Sequence, residues 1–214
     1  MAFDTPKMDD RPAEVIQIAQ ASDPGSKLDA YRLGQPPAVG NPNLPEVKDI
    51  GQISDMKLPA GFVPGKQSGA GSGGNDSFQE YHSGADPNVK VYFEYRGHRM
   101  SQDSSDKFHQ LLGAPAHNLP QAELNQLGEV IQDKGQSGSF QISTAKTQDI
   151  NGKRVLMVEG DYVNQNPPLR ARSLYIDSDG TGSAVQEVTF QAPTASFNKN
   201  VVQGTRSLGS INWK

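Results

Sequence analysis

Cysteine is missing from all 214 residues, so thiol nucleophiles, disulfides and cysteine-ligated zinc or iron–sulfur sites are excluded. A cysteine-free chain is at home in reducing and oxidising surroundings alike, so the compartment stays open. No stretch approaches the roughly 20 apolar residues that a membrane-spanning helix needs. A basic cluster is lacking too: 20 Lys and Arg stand against 24 Asp and Glu, a net charge of −4. Tight nucleic-acid binding through phosphate neutralisation is therefore not expected. Aromatic residues make up 7% and hydrophobic ones 34%, with a mean hydropathy of −0.63. The first residues, Met1-Ala-Phe-Asp-Thr-Pro-Lys, have neither the basic nor the apolar region of a secretory signal. The sequence leaves open a cytosolic protein, another export route, or a mature chain with a replacement Met.

Proline and glycine are plentiful, 15 and 22 residues, and unevenly spread. Residues 1–53 read as a flexible leader, low in aromatics and interrupted by proline, unable to bury enough surface to fold alone. A short helix over 12–21 is expected within it, capped by Asp10, with Val15, Ile18 and Ala19 on one face. Residues 54–214 read as one α+β domain carrying a Gly-rich loop at 65–75. In that loop Gly69, Gly71 and Gly74 fit a dinucleotide pattern, but a strand-like Ser77-Phe-Gln-Glu-Tyr-His follows where a helix is required. Gly65-Lys66 resembles the end of a phosphate loop, yet Gly61 is one residue too close and Gln67 replaces the magnesium-binding hydroxyl.

Further on, the hydrophobic period predicts the elements. Phe78, Glu80 and His82 alternate as in a strand, and Val89, Val91, Phe93 and Tyr95 share one face of the next. A helix capped by Asp103 holds Phe108, Leu111 and Leu112 and stops at Gly113. A second, from Asn118 to Gly135, would align Leu124, Leu127, Val130 and Ile131. Four strands in a meander are expected at Ser139–Thr147, Lys153–Tyr162, Arg170–Ile176 and Ala184–Gln191, the first pair joined by an Asn151-Gly152 hairpin turn. Val155-Leu-Met-Val158 reads as a central strand covered on both faces. Thr194 caps a last helix with Phe197, Val201 and Leu208, weakened in its middle by Gly204, and Trp213 packs on the sheet. The fold class is α+β: a twisted antiparallel sheet covered by helices.

Chemistry-bearing patterns are sparse. Asp177-x-Asp179-x-Thr181-Gly182 matches the opening of a calcium loop, but position twelve is Val188 where a bidentate Glu belongs, so a tight turn is the reading. His82, His98, His109 and His117 form no zinc-helix spacing. Glu80, Glu94, Glu159, Asp161 and Glu187 lie on strands, with nothing to set their separations. No nucleophile elbow occurs, and Ser72 sits in the glycine run. No catalytic residue, cofactor or metal is assigned.

Several segments resemble the PsbP-like superfamily, which includes the photosystem oxygen-evolving subunit, Ran-binding Mog proteins, DcrB-type envelope proteins and the Eag chaperones of type VI secretion. These are Leu58-Pro-Ala-Gly-Phe62, read as an opening strand; Asn151 through Tyr162; Ser173-Leu-Tyr-Ile; and Val188 through Phe197, leading into a helix that ends at Ile211. The resemblance spans residues 58–214 and implies a non-catalytic α/β/α sandwich that binds protein partners or apolar segments. The expected function is accordingly a protein-binding, accessory or chaperone-like one, with Val91, Phe93 and Tyr95 as the partner surface. A secreted or translocated factor directed by its leader is the alternative, and an enzyme with a dispersed site the third.

Overall fold

A computed structural model describes residues 44–68, 77–96, 99–131 and 140–214. The candidate helix at 12–21, Gly69, Gly71, Ser72, Gly74 and His98 lie outside them. Among the described residues, ten strands and three α-helices follow in the order β1 (Glu46–Ile50), β2 (Ile53–Lys57), β3 (Phe62–Ser68), β4 (Ser77–Ser83), β5 (Lys90–Tyr95), α1 (Gln102–Gly113), α2 (Gln121–Leu124), β6 (Phe140–Ile150), β7 (Lys153–Tyr162), β8 (Leu169–Asp177), β9 (Val185–Pro193), α3 (Phe197–Gly209) and β10 (Asn212–Trp213). Seven strands form one antiparallel sheet in the order β3-β4-β5-β9-β8-β7-β6, and β1-β2-β10 form a second, small sheet.

Strict alternation along the central strands divides the large sheet into two faces. Val91, Phe93, Val188, Phe190, Leu174, Ile176, Val155 and Met157 point to one face, where Phe197, Val201 and Leu208 of α3 and Ile53 and Met56 of β2 complete the core. Leu156, Val158, Tyr175 and Val185 point to the other, beneath Phe108 of α1 and Leu127 and Val130 of the segment after α2. β7 is thus covered on both sides, which explains its unbroken apolar run. Each side chain fully withdrawn from water here contributes about 1.5–3 kcal/mol. The chain is an α+β protein with layers on both faces of an antiparallel sheet.

Several expectations need correction. Residues 46–50 fall in the stretch read as leader, yet they form β1, whose Val47 is 3% exposed in the core. Charged residues at 46, 48 and 49 mask the strand in the sequence, because only one of its faces is buried. Leu58-Pro-Ala-Gly is not itself a strand; the backbone turns there, and β3 starts at Phe62 and runs to Ser68, into the first four residues of the Gly-rich stretch. The cap of α1 is Ser101, whose hydroxyl accepts the Ser104 amide, while Asp103 occupies the first turn and pairs with Lys107. The second long helix does not form. α2 ends at Leu124, and residues to Ile131 continue as turns. These turns are tied by side chains instead: Arg96 donates to the Glu129 carbonyl at 2.7 Å, and the Glu129 carboxylate accepts from the amide and hydroxyl of Ser101. Asn118, expected as a cap, bridges to Lys146 on the sheet edge.

Gly204, a weak point on helix propensity, has a packing purpose. A Cβ there would collide with the Phe190 ring, so its absence lets α3 lie close against β9. Trp213 does pack on the sheet's end, its indole donating to the Ile150 carbonyl at 2.7 Å. Among the described residues, no helix is long and apolar enough to cross a membrane.

Candidate functional site: two clefts beside one turn

One end of the large sheet gathers the β1–β2 turn, the β6–β7 hairpin, the β8–β9 loop and the C-terminal end of β5. The β1–β2 turn is clamped onto this end by Gln186, a side chain 1% exposed. Its Oε1 accepts the Gln52 amide at 2.7 Å and its Nε2 donates to the Ile50 carbonyl at 2.9 Å, while Gln52 Nε2 donates to the Ser178 carbonyl at 2.6 Å. Gly51, at φ 54°, sits where any side chain would overlap the Gln186 amide. The fixed turn forms a wall with a cleft on either side.

The first cleft, of about 540 Å³, lies between α1, the hairpin and the β8–β9 loop, and holds His109, Lys153, Arg154, Asp177 and Asp179. Its carboxylates are occupied. Asp177 Oδ1 accepts the amides of Asp179 and Gly180 at 3.3 and 2.9 Å, and Oδ2 accepts that of Gly182 at 3.0 Å, with His109 Nδ1 3.5 Å away. Burial pushes the Asp179 carboxyl up, but hydrogen bonds from Ser183 and Thr181 outweigh it and hold the group well below the usual carboxylate range. Oxygens directed at N–H donors inside a loop build a turn, not a cation site. Among the described residues, no group of three or more His, Cys, Asp or Glu could hold a metal ion.

The second cleft, of about 390 Å³, runs between the β1–β2 turn and the ends of β3, β4 and β5. Ile50, Phe93 and Tyr95 supply its apolar lining, with Gln79 beside Phe93, whereas Phe78 and Glu94 border it from the strands but turn their side chains to the opposite face, where Phe78 packs on Tyr92. The alternation along β5 correctly places Val91, Phe93 and Tyr95 on one face, but their fates differ. Val91 is wholly buried in the core and cannot meet a partner. Phe93, 2% exposed, lies at the groove's base, and Tyr95 is half-buried along it. The correction has a physical reason: the β1–β2 hairpin and α3 cover this face progressively, and strand period says nothing about which end they reach.

The remaining candidate groups are scattered. His82 lies 4.0 Å from Glu80, which also pairs with Lys90 at 3.0 Å. His117 pairs with Glu123 at 2.9 Å. Glu159 and Asp161 are met by Arg170 and Arg172, and buried Glu187 lies opposite Glu94 and 3.8 Å from Arg96. Gln186 and Lys153 were missed by sequence reasoning. A lone glutamine on a strand carries no motif, and neither does a single lysine after a hairpin turn.

Comparisons with known proteins fit this geometry only in outline. No family model matches the chain, and no curated protein matches it. Among solved structures it is similar to the solution structure of cyanobacterial PsbP (CyanoP) from Synechocystis sp. PCC 6803, with a TM-score of 0.47 and 13% identity over 85% of this chain and 99% of that one. It is also similar to the crystal structure of LpqN, described as involved in cell envelope biogenesis of Mycobacterium tuberculosis, with a TM-score of 0.38 and 15% identity over 77% and 88%. The first bears the family name that the element pattern resembles. At these identities no residue role transfers.

Proposed function

We propose that this chain is a non-catalytic accessory protein that binds a protein partner in the groove between the β1–β2 turn and the ends of β3–β5. The observation that supports this reading is the groove's apolar lining, Ile50, Phe93 and Tyr95, beside a turn locked in place by Gln186. A preformed apolar groove takes a ligand without the cost of ordering its own walls. The occupant is an extended segment with one or two large apolar side chains. In the polar cleft, by contrast, the carboxylates are already engaged in holding the loop.

The test is photocrosslinking in the full chain, with a benzophenone side chain placed at Tyr95 or, as a control, at exposed Gln110 on α1. The reading expects a discrete adduct from position 95 alone, abolished by Gln79→Arg, which places a long charged side chain beside Phe93 on the groove face. Equal labelling from both positions, or an adduct indifferent to Gln79→Arg, would overturn it.

A further inference from the structure

We infer that the polar cleft is a receptor for one carboxylate group, held by the ammonium of Lys153. The inference is independent of the groove on the other side of the turn. Lys153 opens β7, immediately after the Asn151-Gly152 turn, and lines the cleft of about 540 Å³. Its Nζ lies 5.2 Å from the centre of the Trp213 ring, whose indole is anchored to the Ile150 carbonyl. A cation over an indole face gains from the ring's charge distribution but leaves its hydrogen-bond donors unused.

The other ionic groups of the cleft are committed. Arg154 makes a two-pronged pair with Asp149, at 2.6 and 3.0 Å, and also donates to the Ala114 carbonyl. Asp177 and Asp179 accept loop amides and hydroxyls. Among the described residues, no carboxylate lies within ion-pair distance of Lys153. Burial accordingly lowers its affinity for a proton, with only the more distant Asp177 acting in the opposite direction. A half-buried ammonium with three available donors and no counter-ion, at the side of a cleft, is an anion site waiting for its partner.

The charge balance decides which anion. One uncommitted cation stands near two fixed carboxylates, so a monoanion is held with little repulsion, whereas a dianionic phosphate meets Asp177 and Asp179 with twice the charge. The cleft is far larger than a carboxylate alone, so the group arrives either on a polypeptide, as an acidic side chain, or on a small free acid.

Trp213 is the only tryptophan, and it makes the test direct. Its emission and indole N–H resonance are followed in the full chain while sodium acetate, the blocked peptide acetyl-Ala-Glu-Ala-amide or sodium phosphate is added at constant ionic strength. Saturable shifts are expected with acetate and with the peptide but not with phosphate. Tighter binding of the peptide assigns the carboxylate to a polypeptide, and equal binding to a small acid. Lys153→Gln is expected to weaken binding by at least about tenfold, while Lys153→Arg and Lys199→Gln, the latter on the exposed side of α3, retain it. Saturation by phosphate at the same concentrations, an unchanged response in Lys153→Gln, or no saturable response to either carboxylate in the unmodified chain would overturn the inference.

Discussion

The two clefts flanking the β1–β2 turn share a wall and differ in almost everything else. One is rich in ionisable groups, the other in aromatic rings. By composition alone the first has the look of an active site, since His109 stands beside Asp177 with Lys153 and Arg154 close by. Atom by atom, its carboxylates close a loop, and its arginine is paired. What marks a surface as available is the share of its groups not already engaged in holding the fold. On that measure the aromatic groove and the single ammonium of Lys153 are what the end of the sheet offers to a ligand.

The comparison can be broken most forcefully at the shared wall. Gln186→Leu removes both hydrogen bonds of the clamp and leaves the Gln52 amide and Ile50 carbonyl without their side-chain partners. A loss of about 3 kcal/mol in urea unfolding is expected, accompanied by faster amide exchange across residues 49–52. Asp177→Asn sharpens the assignment of the polar cleft as a loop support. The neutral amide accepts loop N–H groups less strongly and turns a donor toward them, so about 2 kcal/mol should be lost. If Asp177 were a poised catalytic group instead, its replacement would leave stability unchanged or raise it.

Tyr95→Ala is the contrasting case. The ring is half-buried on the groove, so a cost of about 1 kcal/mol is expected in the same unfolding experiment, with loss of the crosslinked adduct seen from a probe at Gln79. The smallest effect concerns pH. The folded state holds Asp179 below the ordinary aspartate value of 3.8, so its contribution to stability is complete above that pH and shrinks as pH falls from there toward the depressed folded-state value. Thermal melts of the unmodified chain and Asp179→Asn should therefore differ at pH 6 and converge as the solution is acidified below 3.8. A gap that widens on acidification would contradict the loop-support role.

How much of this was legible in the sequence follows from where side chains face. The meander β6 to β9 could be read within a few residues because Asn151-Gly152 fixes one turn and Val155–Val158 can belong only to a strand buried on both sides. The segment Asn118–Ile131 misled because Leu124, Leu127, Val130 and Ile131 keep a helical spacing and do face the core, yet Arg96 and Glu129 hold the backbone in turns after Leu124. Such tertiary override of local pattern leaves no trace in spacing. β1 was hidden for the opposite reason, a strand with one core residue, Val47, among charges. The sites were less legible than the fold. Phe93 and Tyr95 could be placed on one face, but not at an open groove, and the isolation of Lys153 depends on which partners Arg154 and Asp177 have already taken.

The central claim is that a partner docks on the aromatic side of the turn. Amide hydrogen exchange of the full chain, free and bound to the partner recovered by the groove crosslink, tests it most directly. The account predicts protection at residues 67–68, 77–79 and 93–95, with the loop at 178–183 exchanging as it does in the free chain. Protection confined to that loop, or spread over the far end of the sheet around residues 163–168, would contradict it.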